Sequence, residues 1–363
     1  MPPPSAPLIR RRSLLAGLGL ASGLATLGCA SHNAPARSTT ATDLEGDGWT
    51  ALEADWHDAT RARDVPVRLY LPQRAAAVSY PPTAVLQAGT GALPLVVFSH
   101  GIGGSRRGYR YLGQHWAQQG FASLHVQHVG SDQRLWRAGS LWSLPERLQT
   151  AAQTAEALDR AYDVRFALDT LLTSAWAAVV DASRMAVAGH SYGANTALLL
   201  TGARVERPGQ PSDLRDPRLR GAVLISAPPL YGEADPQRIL SPVQVPTLHI
   251  TATDDVIRVP GYYSPAADRV AVYEQVGSPH KTLAVFSGGS HSMFTDRLRT
   301  GGAALNPRVK QATQALTTAF LDGLLRQGKP PALQDWAHQH APLLARFEQQ
   351  GMPLHVGTRR LDS

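Results

Sequence analysis

The chain has 363 residues, 43% of them hydrophobic, which is enough to bury the core of one large domain or of two medium ones. Its formal net charge of +7 falls to +4 if the N-terminal cluster Arg10–Arg12 is removed, and the remaining charges are scattered along the sequence. A small, scattered charge excludes a nucleic-acid-binding protein, in which basic residues concentrate in one patch or stripe. A single cysteine excludes any intramolecular disulfide.

Residues 1–30 have the layout of an export signal. Three arginines, Arg10–Arg12, precede the small and apolar run Ser13–Leu27, and no acidic residue occurs before Asp43. The last two arginines with the following Ser-Leu-Leu resemble a twin-arginine signal, which exports folded proteins. A basic amphipathic helix of the mature protein is the alternative, but this run has no polar face, and it is shorter than the ~20 residues of a membrane span. We predict an exported, periplasmic protein.

Cys29 lies at the end of this segment. Residues 25–29, Ala-Thr-Leu-Gly-Cys, resemble a bacterial lipobox in which Thr26 replaces the usual leucine. Two alternatives follow: lipidation of Cys29, which would anchor the protein to a membrane, or cleavage near Ala30, which would discard Cys29. Residues 31–50 are rich in Ala, Thr, Pro and Ser without apolar periodicity, so we predict a disordered tether there and a single domain over residues 51–363.

Beyond the tether, short apolar runs alternate with longer helical patterns, as in parallel strands joined by crossover helices. The predicted strands are Val65–Leu71, Leu95–Phe98, Ala122–Val126, Met185–Ala188, Ala222–Ile225, Thr247–Thr251 and Leu283–Phe286. The predicted helices are Gly108–Gln119, Pro145–Thr173, Ala194–Ala203 and Pro307–Arg326. This alternation predicts an α/β fold with a doubly wound, mostly parallel sheet and helices on both faces.

The strongest motif is Gly-His-Ser-Tyr-Gly at residues 189–193, between a predicted strand and a predicted helix. A Gly-x-Ser-x-Gly string can arise by chance, but a strand before it and a helix after it are the context of a nucleophile elbow. In such an elbow a sharp turn exposes the serine hydroxyl, and the flanking glycines leave room for the turn. The motif therefore predicts Ser191 as a nucleophile, against the alternative of a glycine-rich turn without chemistry.

A second glycine-rich segment, His-Gly-Ile-Gly-Gly at residues 100–104, follows the predicted strand that ends near Phe98. In hydrolases with this elbow, an amide of that loop and the amide after the nucleophile bind the developing oxyanion. We therefore predict Ile102 and Tyr192 as the oxyanion donors. A phosphate-binding interpretation of these glycines is weak, because neither phosphate-loop pattern surrounds them.

The general base and its acid are expected after the nucleophile, in the order serine, acid, histidine. Of thirteen histidines, His291 lies just past the last predicted strand, at the sheet edge where the active sites of open α/β sheets collect. The strand that begins at Thr247 brings Asp254 and Asp255 to the same edge, and either could be the acid. We predict no metal site, because His125 and His128 are three residues apart on a strand end and point to opposite faces.

The segment from Asp132 to Glu146 is rich in large apolar side chains in a loop context just after a strand end. Loops at this position often form the walls of substrate pockets, although packing beneath the following helix is an equal alternative.

These motifs together resemble the α/β hydrolases grouped as predicted dienelactone hydrolases and platelet-activating-factor acetylhydrolase-like serine esterases, over roughly residues 61–326. The resemblance rests on residues 62–72, 98–101 and 189–193, on Thr-Ala-Thr-Asp-Asp at 251–255, and on Gly-Ser-His at 289–291. Among such hydrolases the acid lies nine residues after the proline that opens its strand, and Pro246 then indicates Asp255 rather than Asp254. Dienelactone hydrolases use a cysteine nucleophile, so Ser191 in that position argues against their activity.

The resemblance implies hydrolysis of lipid-type or short-acyl carboxylic esters without a cofactor. The substrate would be a small-molecule or lipid ester, and Ser191, Asp255 and His291 would be the catalytic residues. Three alternatives remain open at the level of the sequence: an amidase or peptidase with the same triad, a polyesterase, and an exported binding lipoprotein without catalysis.

Overall fold

A mixed sheet of ten strands organises the protein in the computed structural model, which describes residues 44–351 except 74–91, 138, 206–212, 231, 233–234, 260–261 and 298–303. The sheet strands are β1 Glu45–Gly46, β2 Trp49–Asp58, β3 Arg63–Pro72, β4 Leu93–Ser99, β5 Ala122–Val126, β6 Val180–His190, β7 Leu219–Ile225, β8 Thr247–Asp254, β11 Lys281–Ser290 and β12 Leu344–Gln349. A separate antiparallel hairpin consists of β9 Ile257–Val259 and β10 Tyr262–Ser264.

The strand order is β1-β2-β3-β5-β4-β6-β7-β8-β11-β12. The six strands from β5 to β11 run parallel, whereas β1, β2 and β3 on one side and β12 on the other pair antiparallel. Because the central strands are parallel, their carboxyl ends lie at one edge of the sheet, which is where ligands bind in open α/β sheets.

Helices cover both faces of this sheet. They are α1 Arg110–Gln118, α2 Leu144–Ala151, α3 Thr154–Thr173, α4 Tyr192–Thr201, α5 Pro236–Leu240, α6 Ala267–Gln275, α7 Leu305–Leu325 and α8 Gln334–Gln339. Along β4, Leu95 and Val97 face the core built with α3 and α4, whereas Val96 and Phe98 face the core built with α1 and α7. Alternate residues of a buried strand thus contribute to two cores, which explains its continuous apolar sequence.

The predicted doubly wound sheet is confirmed, and all seven predicted strands are present. The helix predicted over Pro145–Thr173 is two helices, because Ala152 ends α2 and Gln153 takes an extended conformation with φ −67° and ψ 159°. Five of the described strands were not predicted, and they lie near the chain termini or after Asp254: β1, β2, β9, β10 and β12.

The predicted tether, residues 31–50, ends earlier than expected. Leu44 to Thr50 include β1 and the start of β2, and Trp49 is buried against Tyr70 with ring centroids 5.8 Å apart. This large aromatic side chain at the start of β2 stabilises the strand against β3, so regular secondary structure is present before residue 51. The rest of the tether and the predicted export signal with Cys29 lie outside the described residues. None of the described helices is long and apolar enough to span a membrane.

Candidate active site

Ser191 occupies the turn between β6 and α4. Its backbone has φ 56° and ψ −123°, a conformation that costs energy for a residue with a side chain. The strand ends at His190 and the helix begins at Tyr192, so the turn contains a single residue. This is the strained strand-to-helix turn predicted from the sequence, with the serine at its tip.

The two glycines of the motif permit this turn by close backbone approach. A Cβ atom on Gly189 would lie 2.1 Å from the carbonyl oxygen of Gly193, and a Cβ atom on Gly193 would lie 1.9 Å from the carbonyl oxygen of Ser99. Backbone atoms cannot move away as a flexible side chain can, so any larger residue would displace the elbow from β4.

The structure brings together the predicted nucleophile, base and acid. Ser191 Oγ lies 2.8 Å from His291 Nε2, and His291 Nδ1 lies 2.7 Å from Asp255 Oδ1. A carboxylate only accepts hydrogen bonds, so Nδ1 carries the proton and Nε2 is free to accept the serine proton. Asp254 is exposed at the end of β8, and its neighbour Thr253 donates to it over 3.3 Å. Of the two aspartates, Asp255 alone contacts His291.

The environment of Asp255 favours its ionised form. Burial by itself would raise the pKa of this carboxyl, but the hydrogen bond from His291 and the charges of His291 and Arg269 outweigh burial and hold the pKa well below its usual range. Thr251 Oγ1 donates to the second carboxylate oxygen over 2.7 Å, and Arg269 Nε lies 3.6 Å from the first. The acid therefore stays charged and can orient the imidazole and stabilise its protonated form.

The predicted oxyanion donors lie beside Ser191 in the same cavity. The amides of Gly101 and Gly103 donate to Tyr109 Oη and to the Ser131 carbonyl oxygen, whereas the Ile102 amide between them has no acceptor among the described residues. Tyr192 is the first residue of α4, so its amide has no acceptor within the helix. Two free amides at one cavity wall are the groups that an oxyanion requires.

A chain of hydrogen bonds that the sequence did not reveal joins the oxyanion loop to the base. The Gly101 amide donates to Tyr109 Oη over 3.2 Å, Tyr109 Oη lies 2.9 Å from His190 Nδ1, and His190 Nε2 lies 3.0 Å from the His291 carbonyl oxygen. Burial and the neighbouring charge of His291 lower the pKa of His190 to about 3, so its ring is neutral. With Nε2 donating to the carbonyl, Nδ1 accepts from the tyrosine. His190 stands inside the elbow motif, but no sequence signal indicated Tyr109.

A cavity of about 470 Å³ opens beside Ser191 and His291. Its walls include Trp136, Leu148 and Ile257, so most of the surface that faces a substrate is apolar. Trp136 is fixed by its indole Nε1, which donates to the Gly103 carbonyl oxygen over 2.9 Å. Part of the segment predicted as a pocket wall thus lines the cavity, whereas Trp142 in the same segment is 95% exposed and does not line it.

The histidines considered as metal ligands have other partners. His128 Nδ1 lies 3.0 Å from Asp163 Oδ2, and the His125 ring stacks on Phe98 with centroids 4.8 Å apart. Over residues 44–351, as far as they are described, no group of three or more metal-ligating side chains is suited to hold an ion.

Known proteins resemble this chain in sequence and in fold. Residues 67–133 match the family described as platelet-activating factor acetylhydrolase, isoform II. A solved structure of a ferulic acid esterase from Streptomyces cinnamoneus is similar, with a TM-score of 0.53 and 23% sequence identity over 79% of this chain and 92% of that chain. The chain has the α/β-hydrolase fold. No curated protein matches the sequence.

The α/β-hydrolase fold explains how residues 100 positions apart meet. Ser191 follows β6, Asp255 follows β8 and His291 follows β11, and all three strands end at the same edge of the parallel sheet. The order serine, acid, histidine is the order of this fold. The segment that matches the acetylhydrolase family carries the loop with Ile102 but none of the three residues of the candidate triad.

Proposed function

We propose that this protein is an exported serine esterase that hydrolyses carboxylic esters, with Ser191 as the nucleophile, His291 as the general base and Asp255 as the acid. The observation that carries the proposal is the continuous hydrogen-bonded line from Ser191 Oγ through both ring nitrogens of His291 to Asp255, at 2.8 and 2.7 Å, on a strained elbow beside an apolar cavity. A serine hydroxyl needs an adjacent base to become a nucleophile, and this line supplies one.

The reaction proceeds in two acyl-transfer steps. Ser191 Oγ attacks the ester carbonyl carbon while its proton passes to His291 Nε2, and the carbonyl oxygen gains a negative charge that the amides of Ile102 and Tyr192 bind. His291 then gives the proton to the leaving alkoxide oxygen, which departs as the alcohol. Water then attacks the acyl carbon with His291 again as the base. The bond from the acyl carbon to Ser191 Oγ breaks, His291 returns the proton to Ser191, and the carboxylic acid product leaves. No cofactor takes part.

The proposed substrates are small-molecule or lipid esters, of the acetyl or another short acyl type. The matching family is described as an acetylhydrolase and the similar solved structure as a ferulic acid esterase, which supports an ester rather than an amide as the substrate. The apolar cavity walls around Ser191 also favour an uncharged acyl or alcohol group.

A fluorophosphonate probe and a series of nitrophenyl esters of increasing acyl length test this function on the purified protein. We expect the wild-type protein to react with the probe, and we expect Ser191→Ala to lose both labelling and esterase activity, the latter by a factor on the order of 10⁴ or more. Ser241→Ala, which removes a serine hydroxyl outside the cavity, is the matched control. Turnover by Ser191→Ala at the wild-type rate would refute the mechanism, and a folded wild-type protein that does not label would favour a binding role.

Export is a separate part of the proposal and rests on the N-terminal sequence. We expect the double substitution Arg11→Lys, Arg12→Lys to abolish delivery to the periplasm, because the twin-arginine pair precedes an apolar run. Normal delivery would indicate the general secretion route. Mass spectrometry of the mature N-terminus distinguishes diacylglycerol on Cys29 from a chain that starts beyond it.

A further inference from the structure

Arg160 on α3 is a buried guanidinium that the mechanism above does not use. It is 0% exposed, and each of its nitrogens donates to a neutral oxygen. Nε donates to Thr196 Oγ1 over 3.0 Å, Nη1 to Ser131 Oγ over 2.7 Å, and Nη2 to Ser99 Oγ over 3.1 Å as well as to the carbonyl oxygen of His100. An arginine stays charged in a protein, so this is a fixed positive charge inside the core.

The partners of Arg160 are the segments that hold the two oxyanion amides. His100 begins the loop that carries Ile102, and the Ser131 carbonyl oxygen accepts from the amide of Gly103, on the other side of Ile102. The guanidinium carbon also lies 4.5 Å from the ring centroid of Tyr192, the residue whose amide is the second donor. The side chain of Arg160 therefore contacts both of the segments that supply the proposed oxyanion amides.

No carboxylate lies within 4.0 Å of Arg160 among the described residues. The nearest acids are engaged elsewhere: Asp163 accepts from Arg61 and Arg63, and Glu156 accepts from Arg63 and from Ser131 Oγ. Burial of a cation without a direct counter-ion is costly. Its charge is thus available to a negative oxygen that forms during the reaction.

We propose that Arg160 is a positioning residue for the oxyanion hole: it fixes the His100 carbonyl and the Tyr192 ring, and its charge favours the negative oxygen of the tetrahedral intermediate. This inference rests on the proposed esterase function. It assigns to Arg160 a contribution that exists in the transition state and not in the bound substrate, so it acts on kcat rather than on KM.

The test compares Arg160→Met and Arg160→Lys with the control Arg68→Met. Arg68 is also buried, at 1% exposure, and its guanidinium carbon also lies over a tyrosine ring, 5.0 Å from the centroid of Tyr70. It pairs with Glu53 of β2, with Nη1 3.1 Å from Glu53 Oε1. Both Met variants therefore remove a buried guanidinium over a tyrosine, and Arg160→Met removes the one that contacts His100, Ser131 and Tyr192.

Two measurements separate positioning from general destabilisation: kcat and KM on a soluble nitrophenyl ester, and inhibition by an alkyl boronic acid, whose anionic adduct with Ser191 imitates the tetrahedral intermediate. We expect Arg160→Met to lower kcat by about 10- to 100-fold with KM within about threefold, and to weaken boronic acid inhibition in the same proportion. Arg160→Lys, which keeps the charge, should recover part of both losses. Arg68→Met should keep kcat within about twofold, whatever its melting temperature.

Wild-type kcat and boronic acid inhibition in Arg160→Met would overturn the inference, as would an effect on KM alone or an equal loss of kcat in Arg68→Met. If Arg160→Met does not fold, Ser131→Ala takes its place, since it removes the hydroxyl that holds Nη1 and leaves the guanidinium. A parallel fall in kcat and in boronic acid inhibition then supports the inference, and an unchanged kcat refutes it. A wild-type protein without esterase activity would instead refute the proposed function.

Discussion

His190 Nε2 lies 3.0 Å from the main-chain oxygen of His291, so the residue before the proposed nucleophile holds the backbone of the proposed base. The same ring accepts from Tyr109, whose hydroxyl also accepts the amide hydrogen of Gly101 in the oxyanion loop. One neutral imidazole therefore connects the elbow, the proposed base and the loop that carries Ile102. Such a connection fixes distances that catalysis requires to within a fraction of an ångström.

The first prediction concerns this connection. His190→Phe keeps an aromatic ring but removes both hydrogen bonds, so we expect kcat/KM for a nitrophenyl ester to fall by about 10- to 100-fold because His291 is held less firmly. His249→Phe is the matched control: His249 is likewise buried, with a pKa that burial lowers to about 3, but it lies outside the cavity. Equal kcat/KM values for His190→Phe and the wild type would contradict the prediction.

The second prediction separates the neighbouring aspartates. Asp255→Asn should lower kcat by several orders of magnitude, because an amide at this position favours the wrong tautomer of His291. Asp254→Asn should retain most of the activity, since its side chain is exposed and contacts Thr253 rather than the imidazole. The reverse result, an inactive Asp254→Asn and an active Asp255→Asn, would reassign the acid.

The third prediction concerns acyl-chain preference. Trp136→Ala should shift the preferred nitrophenyl ester towards longer acyl chains, because it removes a wall of the cavity that is fixed to the Gly103 carbonyl oxygen. Trp142→Ala, six residues further on, removes a tryptophan that is 95% exposed and should leave the profile unchanged. An unchanged profile in Trp136→Ala would show that acyl length is selected elsewhere.

The fourth prediction is that the folded protein is sensitive to acid below about pH 6.5. Burial lowers the pKa values of the five fully buried histidines among the described residues, to about 3 for His125, His190 and His249 and well below the usual value for His100 and His128. In the unfolded chain these side chains take up protons near pH 6.5, whereas in the folded protein they remain neutral. The free energy of unfolding therefore falls as pH falls from 6.5 towards 3, by up to about 1.4 kcal/mol per pH unit for each histidine.

Urea unfolding between pH 7.5 and pH 4.5 measures this dependence. His249→Phe removes one of the five buried histidines, so its free energy of unfolding should fall less steeply with acid than that of the wild type. A free energy of unfolding that does not change over this range would show that the buried histidines take up protons without unfolding.

The central strands were predictable from the sequence because they are apolar on both faces. Ala122–Val126 matches β5 at both ends, since each of its residues is buried in one of the two cores or against a neighbouring side chain. Trp49–Asp58 was missed because β2 lies near the sheet edge, and its charged residues Glu53, Asp55 and Asp58 interrupt any apolar run. Strands that are half exposed depend on their neighbours more than on their own composition.

Two residues of the candidate site were predictable because the sequence shows both their chemical type and their place in the fold. Ser191 lies in a motif, and His291 follows the last central strand. Arg160 was not predictable, because it stands in an ordinary helical pattern among other charged residues and nothing in the sequence marks it as the buried one. Tyr109 has φ 58° and precedes α1. Its role depends on a histidine 81 positions away, and such a pairing exists only in the folded chain.

The close approach of Gly193 to the Ser99 carbonyl oxygen has a consequence for when the protein becomes reactive. Ser191 keeps its strained backbone only while the turn is pressed against the end of β4, and its base arrives from a strand 100 residues further along the chain. Before these strands assemble, Ser191 is an ordinary serine with no partner to take its proton. On the proposed mechanism, a newly made or partly unfolded chain does not react with a fluorophosphonate, so the labelled fraction of molecules measures the fraction in which the sheet is complete.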